Sequence, residues 1–481
     1  MYDNFLVYDT DLAPLLRGQD PALFHVGDHR RLIRIHEKHA ALRASVGTDG
    51  VPPIGPTLMR RLADARTLMT ACVDLMRGGG KAPGVDGLTL EMLDLPERWS
   101  LCRRLSQEIR AGEYAPGRDR IVKIPKPGKT GHRELAVQNV RDRIVGRDTV
   151  RIVQPVVDPE FSPFSFGGRP KRGTMEALAT ALALARTEGK WIWIAADVEK
   201  AFDRIPFDRF LVACHAHLPD DVVRFVETIA YKGTRRGLRQ GNPSSPLFCN
   251  VFFDCFLDRP WHRDHPDLPV IRYIDDLLLV CGSIDQANDA YAALVARATG
   301  IGTPLKGSAE TSIFNLGGGA TIEWLGYHIA LDNGIPVIRI AERAWPRLAL
   351  RLAAAYLTPI PPLRAELIIR GWLGYLGPCF EFEDRPAVVS RVRSIASDLA
   401  FEEIPSDAEL MAVWRAAYRR WKKVQQHAAD VLPHRLYLIR QTGSKNEVAA
   451  EVPEIGHREG FTDTMSAGQN VINSGFGDTG D

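Results

Sequence analysis

Arg272-Tyr273-Ile274-Asp275-Asp276-Leu277-Leu278-Leu279-Val280 places two adjacent carboxylates between apolar runs, Val270-Ile271 before and Leu277 to Val280 after. Those runs predict two short buried strands, with the acids at or beside a tight hairpin turn. Neighbouring side chains on a regular strand point to opposite faces, so only a turn lets both acids serve one site. Paired acids in apolar surroundings repel and are desolvated at large cost unless a cation neutralises them, which points to a divalent metal. Taken alone, Tyr-x-Asp-Asp also fits a solvated hairpin turn.

A third acid ends a second apolar strand. Trp191-Ile192-Trp193-Ile194-Ala195-Ala196-Asp197 runs into Val198-Glu199-Lys200-Ala201-Phe202-Asp203. Three carboxylates from adjacent strands can hold two Mg²⁺ ions about 3.5–4 Å apart, the arrangement of in-line phosphoryl transfer. Asp203 and Glu199 are weaker ligand candidates, because the strand no longer positions them.

The chain has 481 residues, 45% apolar and 25% charged, with room for two to four subdomains. No apolar run reaches membrane-spanning length, and Met1-Tyr2-Asp3-Asn4-Phe5 lacks the order of a secretory signal. Seven cysteines without a Cys-x-x-Cys pair read as reduced thiols of a cytoplasmic protein. The net charge of +2 hides a local excess: Leu101–Arg172 carries sixteen Lys/Arg against eight Asp/Glu.

Within that basic region, Ile121–Lys126 predicts a strand, and Arg133–Val137 its hairpin partner. The turn presents Lys126, Lys129 and Arg133 together, which suits a triphosphate because several negative charges need several donors. Phe161–Pro170 mixes aromatics with Arg169, Lys171 and Arg172, a pattern fit for stacking on and neutralising a nucleic-acid strand. Gly237–Pro246 is a polar turn before an apolar helix, where Gln240 and the loop amides could position a base or sugar. Arg343 to His427 reads as all-helical, with Trp414, Tyr418 and Trp421 at core-facing spacing. From about Thr442 the chain is acidic and Gly/Ser/Asn-rich, the composition of a disordered tail.

In order, GVDGLT, IPKPGKTGHREL, FSPFSFGGRP, DVEKAFD, GLRQGNPSSPLFCN, YIDD and EWLGY resemble the reverse transcriptases of the bacterial group II intron-like lineage, from residue 84 to 327. That lineage includes retron and phage-defence enzymes. The resemblance implies an α+β right-hand polymerase with fingers, a ferredoxin-like palm and a helical thumb. Its segments would be an N-terminal extension (1–56), fingers (57–190), palm (191–340), thumb (341–440) and tail (441–481).

By position, Asp197, Asp275 and Asp276 correspond to the family's metal-binding, catalytic carboxylates, with Mg²⁺ as the expected ion and Mn²⁺ as the alternative. Lys126 and Arg133 correspond to the triphosphate-holding fingers residues. Phe202 corresponds to the aromatic that excludes a 2′-hydroxyl, and Gln240 to the glutamine at nucleotide and template. Arg239 replaces the family's usual Pro, and Glu310 stands where a lysine before Thr311 is expected, with Lys306 as a substitute. The implied function is RNA-directed DNA polymerisation from dNTPs, in anti-phage defence with a dedicated non-coding RNA. A group II intron-derived maturase and a catalytically idle RNA-binding scaffold are the alternatives. Expected partners are an RNA template, the DNA product and dNTPs, with a homo-oligomer possible and no membrane.

Overall fold

The computed structural model describes residues 57–442, apart from 79–81, 126–131, 357 and 359. The N-terminal extension, Lys126, Lys129 and the tail beyond Thr442 therefore lie outside the described residues. Helix α1 (Ala65–Gly78) and helix α2 (Leu95–Ala111) open the fold. Asp94 starts α2 through a reciprocal capping box with Glu97, and Gly112, in the left-handed region, ends it. Strands β1 (Arg120–Pro125) and β2 (His132–Val137) form the antiparallel hairpin expected from the sequence. Helices α3 (Val140–Val157) and α4 (Thr174–Glu188) lead to the central sheet.

That sheet contains β3 (Ile192–Asp197), β4 (Ile271–Tyr273), β5 (Asp276–Cys281) and β6 (Ile313–Asn315), in the order β4-β5-β3-β6 with every pair antiparallel. Helix α5 (Ser245–Phe253) falls between β3 and β4, and helix α6 (Ile284–Gly300) between β5 and β6. This βαββαβ order is the expected ferredoxin-like arrangement. Alternation along the strands separates two cores. Ile194, Ala196, Leu277 and Leu279 pack with α5 and α6, whereas Trp193, Leu278 and Val280 pack with α4 and the C-terminal helices.

A second sheet follows as a meander: β7 (Ile322–Trp324), β8 (Tyr327–Asp332) and β9 (Ile335–Ile340). Both of its turns are two residues long, and Leu325-Gly326 and Asn333-Gly334 all have positive φ, the conformation of tight hairpin turns. The C-terminal part is helical: α7 (Ala344–Ala355), α8 (Pro361–Tyr375), α9 (Arg385–Asp398) and α10 (Asp407–Thr442). Trp414 and Trp421 are buried on α10, as their spacing predicts. Tyr375 of α8 stacks on Tyr327 at 4.7 Å and donates to the Leu325 carbonyl, which ties this helical part to the meander.

Candidate active site

Ile274 and Asp275 form the turn between β4 and β5, and Asp276 is the first residue of β5. Asp276 faces Asp197 directly across the β3–β5 ladder. Directly opposed residues share a face, with Cβ atoms about 4.5–5.5 Å apart. The Asp275 carbonyl accepts from Val198 N–H at 3.1 Å, which binds the turn to the end of β3. Three acids thus gather where two strands end.

The turn is strained and strongly supported. Ile274 has φ of 59°, a region that a β-branched residue occupies at a cost of about 1–3 kcal/mol. Arg272, fully buried, holds it: its guanidinium donates to the Ile274 carbonyl at 3.1 Å, Asn250 Oδ1 at 2.7 Å and Ser165 Oγ at 3.0 Å. The same guanidinium grips Asp258 through Nε and Nη2, at 2.9 and 2.6 Å. Asp258 ends a π-helical turn, Asp254–Asp258, that continues α5. Gly167 lies against the hairpin so closely that a Cβ there would meet Ile274 Cγ1 at 2.6 Å.

The electrostatics are those of crowded acids. Burial, then the charges of Asp275 and Asp197, pushes the Asp276 carboxyl up to about 7. Asp197 Oδ1 is shielded from solvent without a hydrogen-bond partner, while Oδ2 pairs with Lys306 Nζ at 2.5 Å. Lys306 is anchored by its own N–H, which donates to the Asp197 carbonyl at 2.8 Å. Among the described residues, no three His, Cys, Asp or Glu side chains converge at metal-ligand spacing. That does not conflict with a magnesium site, which commonly uses one or two carboxylates and completes its shell with substrate oxygens and water. An unpartnered carboxylate oxygen beside a carboxyl raised by its neighbours fits such an ion.

Other expected residues divide into three groups. Phe202, on the short helix Ala201–Arg204 just past β3, is half-buried, and its carbonyl accepts from Leu238 N–H at 2.7 Å. Gln240 lies on the loop that this bond ties to that short helix. Gly241 has φ of 81° and touches β2, where a Cβ would meet the Ala136 carbonyl at 2.0 Å. Arg239 is buried and pairs with Asp119 at 2.8 Å and with the Gly117 carbonyl, so it fastens the Gln240 loop to the base of the β1–β2 hairpin. Arg133 lies on β2 opposite Ile124.

Glu199 and Asp203 are occupied by Arg204 and Lys232, at 2.6 and 3.0 Å, consistent with their lower rank as ligands. One expectation is corrected. Phe161, Phe164 and Phe166 are buried core residues rather than a base-stacking platform, and Arg169 is committed to Asp158 at 2.8 Å. The periodicity of that stretch could not reveal this, since its ring partners come from distant elements.

Sequence reasoning did not single out Arg343 and Arg347 at the start of α7, whose positive charges act on Asp276 although Arg343 itself pairs with Glu323 at 3.0 Å. Their spacing, continued by Arg351 at i+8, is a helical stripe visible in the sequence.

Residues 124–329 match the family model for the reverse transcriptase (RNA-dependent DNA polymerase). They form a reverse transcriptase domain. Protein YkfC of Escherichia coli is 30% identical over 217 residues, covering 41% of this chain and 55% of YkfC. The COX1/OXI3 intron 1 protein of Saccharomyces cerevisiae is 32% identical over 193 residues, covering 38% of this chain and 22% of that protein. The chain thus matches about half or less of the length of these relatives. The telomerase of Candida albicans, solved with a fragment of telomeric RNA, superposes with a TM-score of 0.39 at 14% identity, covering 68% of this chain and 62% of that one. The matched residues run from the end of β1 through β2 and the four-stranded sheet to the start of the meander. The mixed helix-and-sheet fold is that of a right-hand polymerase.

Proposed function

We propose that this protein is an RNA-directed DNA polymerase that extends a 3′-hydroxyl with dNTPs. The observation that carries the reading is the cross-strand pairing of Asp197 with Asp276 beside Asp275. We assign these three carboxylates to two Mg²⁺ ions. When bound, the ions lower the pKa of the attacking hydroxyl and neutralise charge on the leaving pyrophosphate. Asp197 and Asp276 orient the reacting groups from one sheet face, and Asp275 completes the cluster from the turn. Lys306 keeps a positive charge on Asp197. Phe202 closes the sugar side, and Gln240, held through Arg239, lines the nucleotide; Lys126 and Arg133 act on the triphosphate from the fingers. Arg343 and Arg347 supply positive charge along the path of a primer strand.

The segments follow as fingers (57–190), palm (191–340) and thumb (341–440), between an extension of unknown role and an acidic tail. Among the described residues no helix is long and apolar enough to cross a membrane. The wider role we favour is a cytoplasmic anti-phage system with a dedicated non-coding RNA as template. A group II intron-derived maturase is the second reading, supported by the intron-encoded name of one relative.

Sequencing of the nucleic acid that co-purifies with the wild type and with Asp275→Ala/Asp276→Ala tests this reading. One abundant RNA in both, with complementary DNA in the wild type alone, is expected. RNA in both samples without DNA would replace the polymerase by a binding scaffold.

A further inference from the structure

Away from the carboxylates, the turn before α4 meets the last helix. Arg169, Lys171 and Arg172 belong to this turn, and α10 presents Arg420, His427 and Arg435 at i, i+7 and i+15, a single helical face. The fully buried ring of Phe166 has Arg435 Cζ at 4.9 Å from its centre and Arg172 Cζ at 5.8 Å. Arg435 Nη1 donates to Thr180 Oγ1 at 2.6 Å. Arg172 Nη1 donates to the carbonyls of Pro163 and Ser165, at 2.9 and 3.1 Å.

Neither guanidinium has a carboxylate within ion-pair distance among the described residues, and both nearby acids are committed. Asp158 is held by Arg169, and Glu176 by Arg420 at 3.3 Å and by Gly173 N–H at 2.9 Å. Four guanidiniums, Arg169, Arg172, Arg420 and Arg435, therefore face two carboxylates, an excess of two positive charges. Burial, then repulsion from Arg169, pushes Arg435 down to about 10, and burial, then Arg169 and Arg435, holds Arg172 well below its usual range. Burial and Arg435 likewise hold His427 below the usual histidine range.

Half-buried cations without counter-ions are costly to keep, and a planar guanidinium is suited to two-point binding of phosphate. Each of the pair spends one nitrogen on protein acceptors and retains further donors. Exposed Lys171, in the same turn, adds positive charge.

We propose that Arg172 and Arg435 form a phosphate-binding site between the Arg169–Arg172 turn and α10, and that its ligand is a backbone phosphate of a nucleic-acid strand bound outside the catalytic cluster. Naming nucleic acid as the source rests on the polymerase reading; the anion site itself does not.

The test uses the full chain as wild type, Arg435→Gln, Arg435→Lys and Arg172→Gln/Arg435→Gln. Affinity for a labelled RNA oligonucleotide is followed against salt concentration, and melting temperature is followed with and without inorganic phosphate at constant ionic strength. Each lost phosphate contact is expected to flatten the slope of log affinity against log salt by about 0.7–0.9. Arg435→Lys should restore the slope, because it keeps the charge. Without ligand, the melting temperature of Arg435→Gln reports the lost contacts to Thr180 and Phe166, so the salt slope and the phosphate response are the readouts that a merely structural role would not move.

If the slope is unchanged but the wild type alone is stabilised by inorganic phosphate, the anion site stands and its source is a free phosphate. If neither slope nor phosphate response changes, the site is overturned. Failure of the polymerase reading is seen separately, as absence of primer extension by the wild type.

Discussion

Asp197 and Asp276 stand directly opposite each other on neighbouring strands, so two like charges share one face of the sheet without a carboxylate-to-carboxylate bond to relieve them. The arrangement is expensive unless cations occupy it. Asp276→Asn and Asp197→Asn should each reduce primer extension by at least about a thousandfold, the scale of losing preorganised charge at a transition state. Both should keep or raise the melting temperature, because repulsion is removed. Wild-type extension by either variant would end the metal assignment.

Lys306 supplies the positive charge now paired with Asp197. Lys306→Gln leaves a more negative cluster, so half-saturating Mg²⁺ should fall severalfold. An unchanged Mg²⁺ requirement in steady-state extension would show that the lysine is not competing for that carboxylate.

Phe202 is held in place by the bond from Leu238 N–H to its carbonyl, which does not depend on the ring. Phe202→Ala should therefore fold normally and admit ribonucleotides, narrowing the preference for dNTPs over rNTPs by about tenfold or more, of order 1.4 kcal/mol. Single-nucleotide incorporation with each substrate measures it, and an unaltered ratio would remove Phe202 from the sugar pocket.

Arg272 and Asp258 are both buried and bonded through two guanidinium nitrogens. Arg272→Met strands Asp258 and should cost about 3–5 kcal/mol in denaturant unfolding. Adding Asp258→Leu should recover much of the loss, because no unpaired charge then remains. Equal destabilisation in the single and double variants would mean that the turn contacts, and not the ion pair, dominate.

Asp148 on α3 accepts from Thr67 at 3.3 Å, and burial pushes its carboxyl up to about 8. The folded state holds a proton that the unfolded chain releases near pH 4. This contribution to stability is full below that value and is lost as pH rises to about 8. The melting temperature of Asp148→Asn relative to wild type should therefore climb between pH 5 and pH 8. A pH-independent difference would contradict a buried, protonated Asp148.

Much of this was legible beforehand. The apolar runs around Asp275-Asp276 and before Asp197 predicted both strands and the turn, because burial and period-two alternation are local signals. The β1–β2 hairpin was equally local. The pairings of Lys306 with Asp197 and of Arg239 with Asp119 were not, since they join residues 109 and 120 positions apart. Arg272 carries a signal of its own, because a charged residue within a buried strand must be paired. The meander also carries a local signal, Asn333-Gly334 between two alternating runs. Phe161, Phe164 and Phe166 misled because aromatics beside arginines look alike on a surface and in a core.

Helix α10 packs against α4 beside the central sheet and against α8 of the C-terminal helices. Its 36 residues make a rod of about 54 Å, interrupted by Pro433 two residues before Arg435. Such a rod is a lever rather than a hinge. A load placed on the helices packed along it would not dissipate locally. It would be delivered at the far end, where Arg435 lies against Phe166 in the core on the side of the sheet away from α5 and α6.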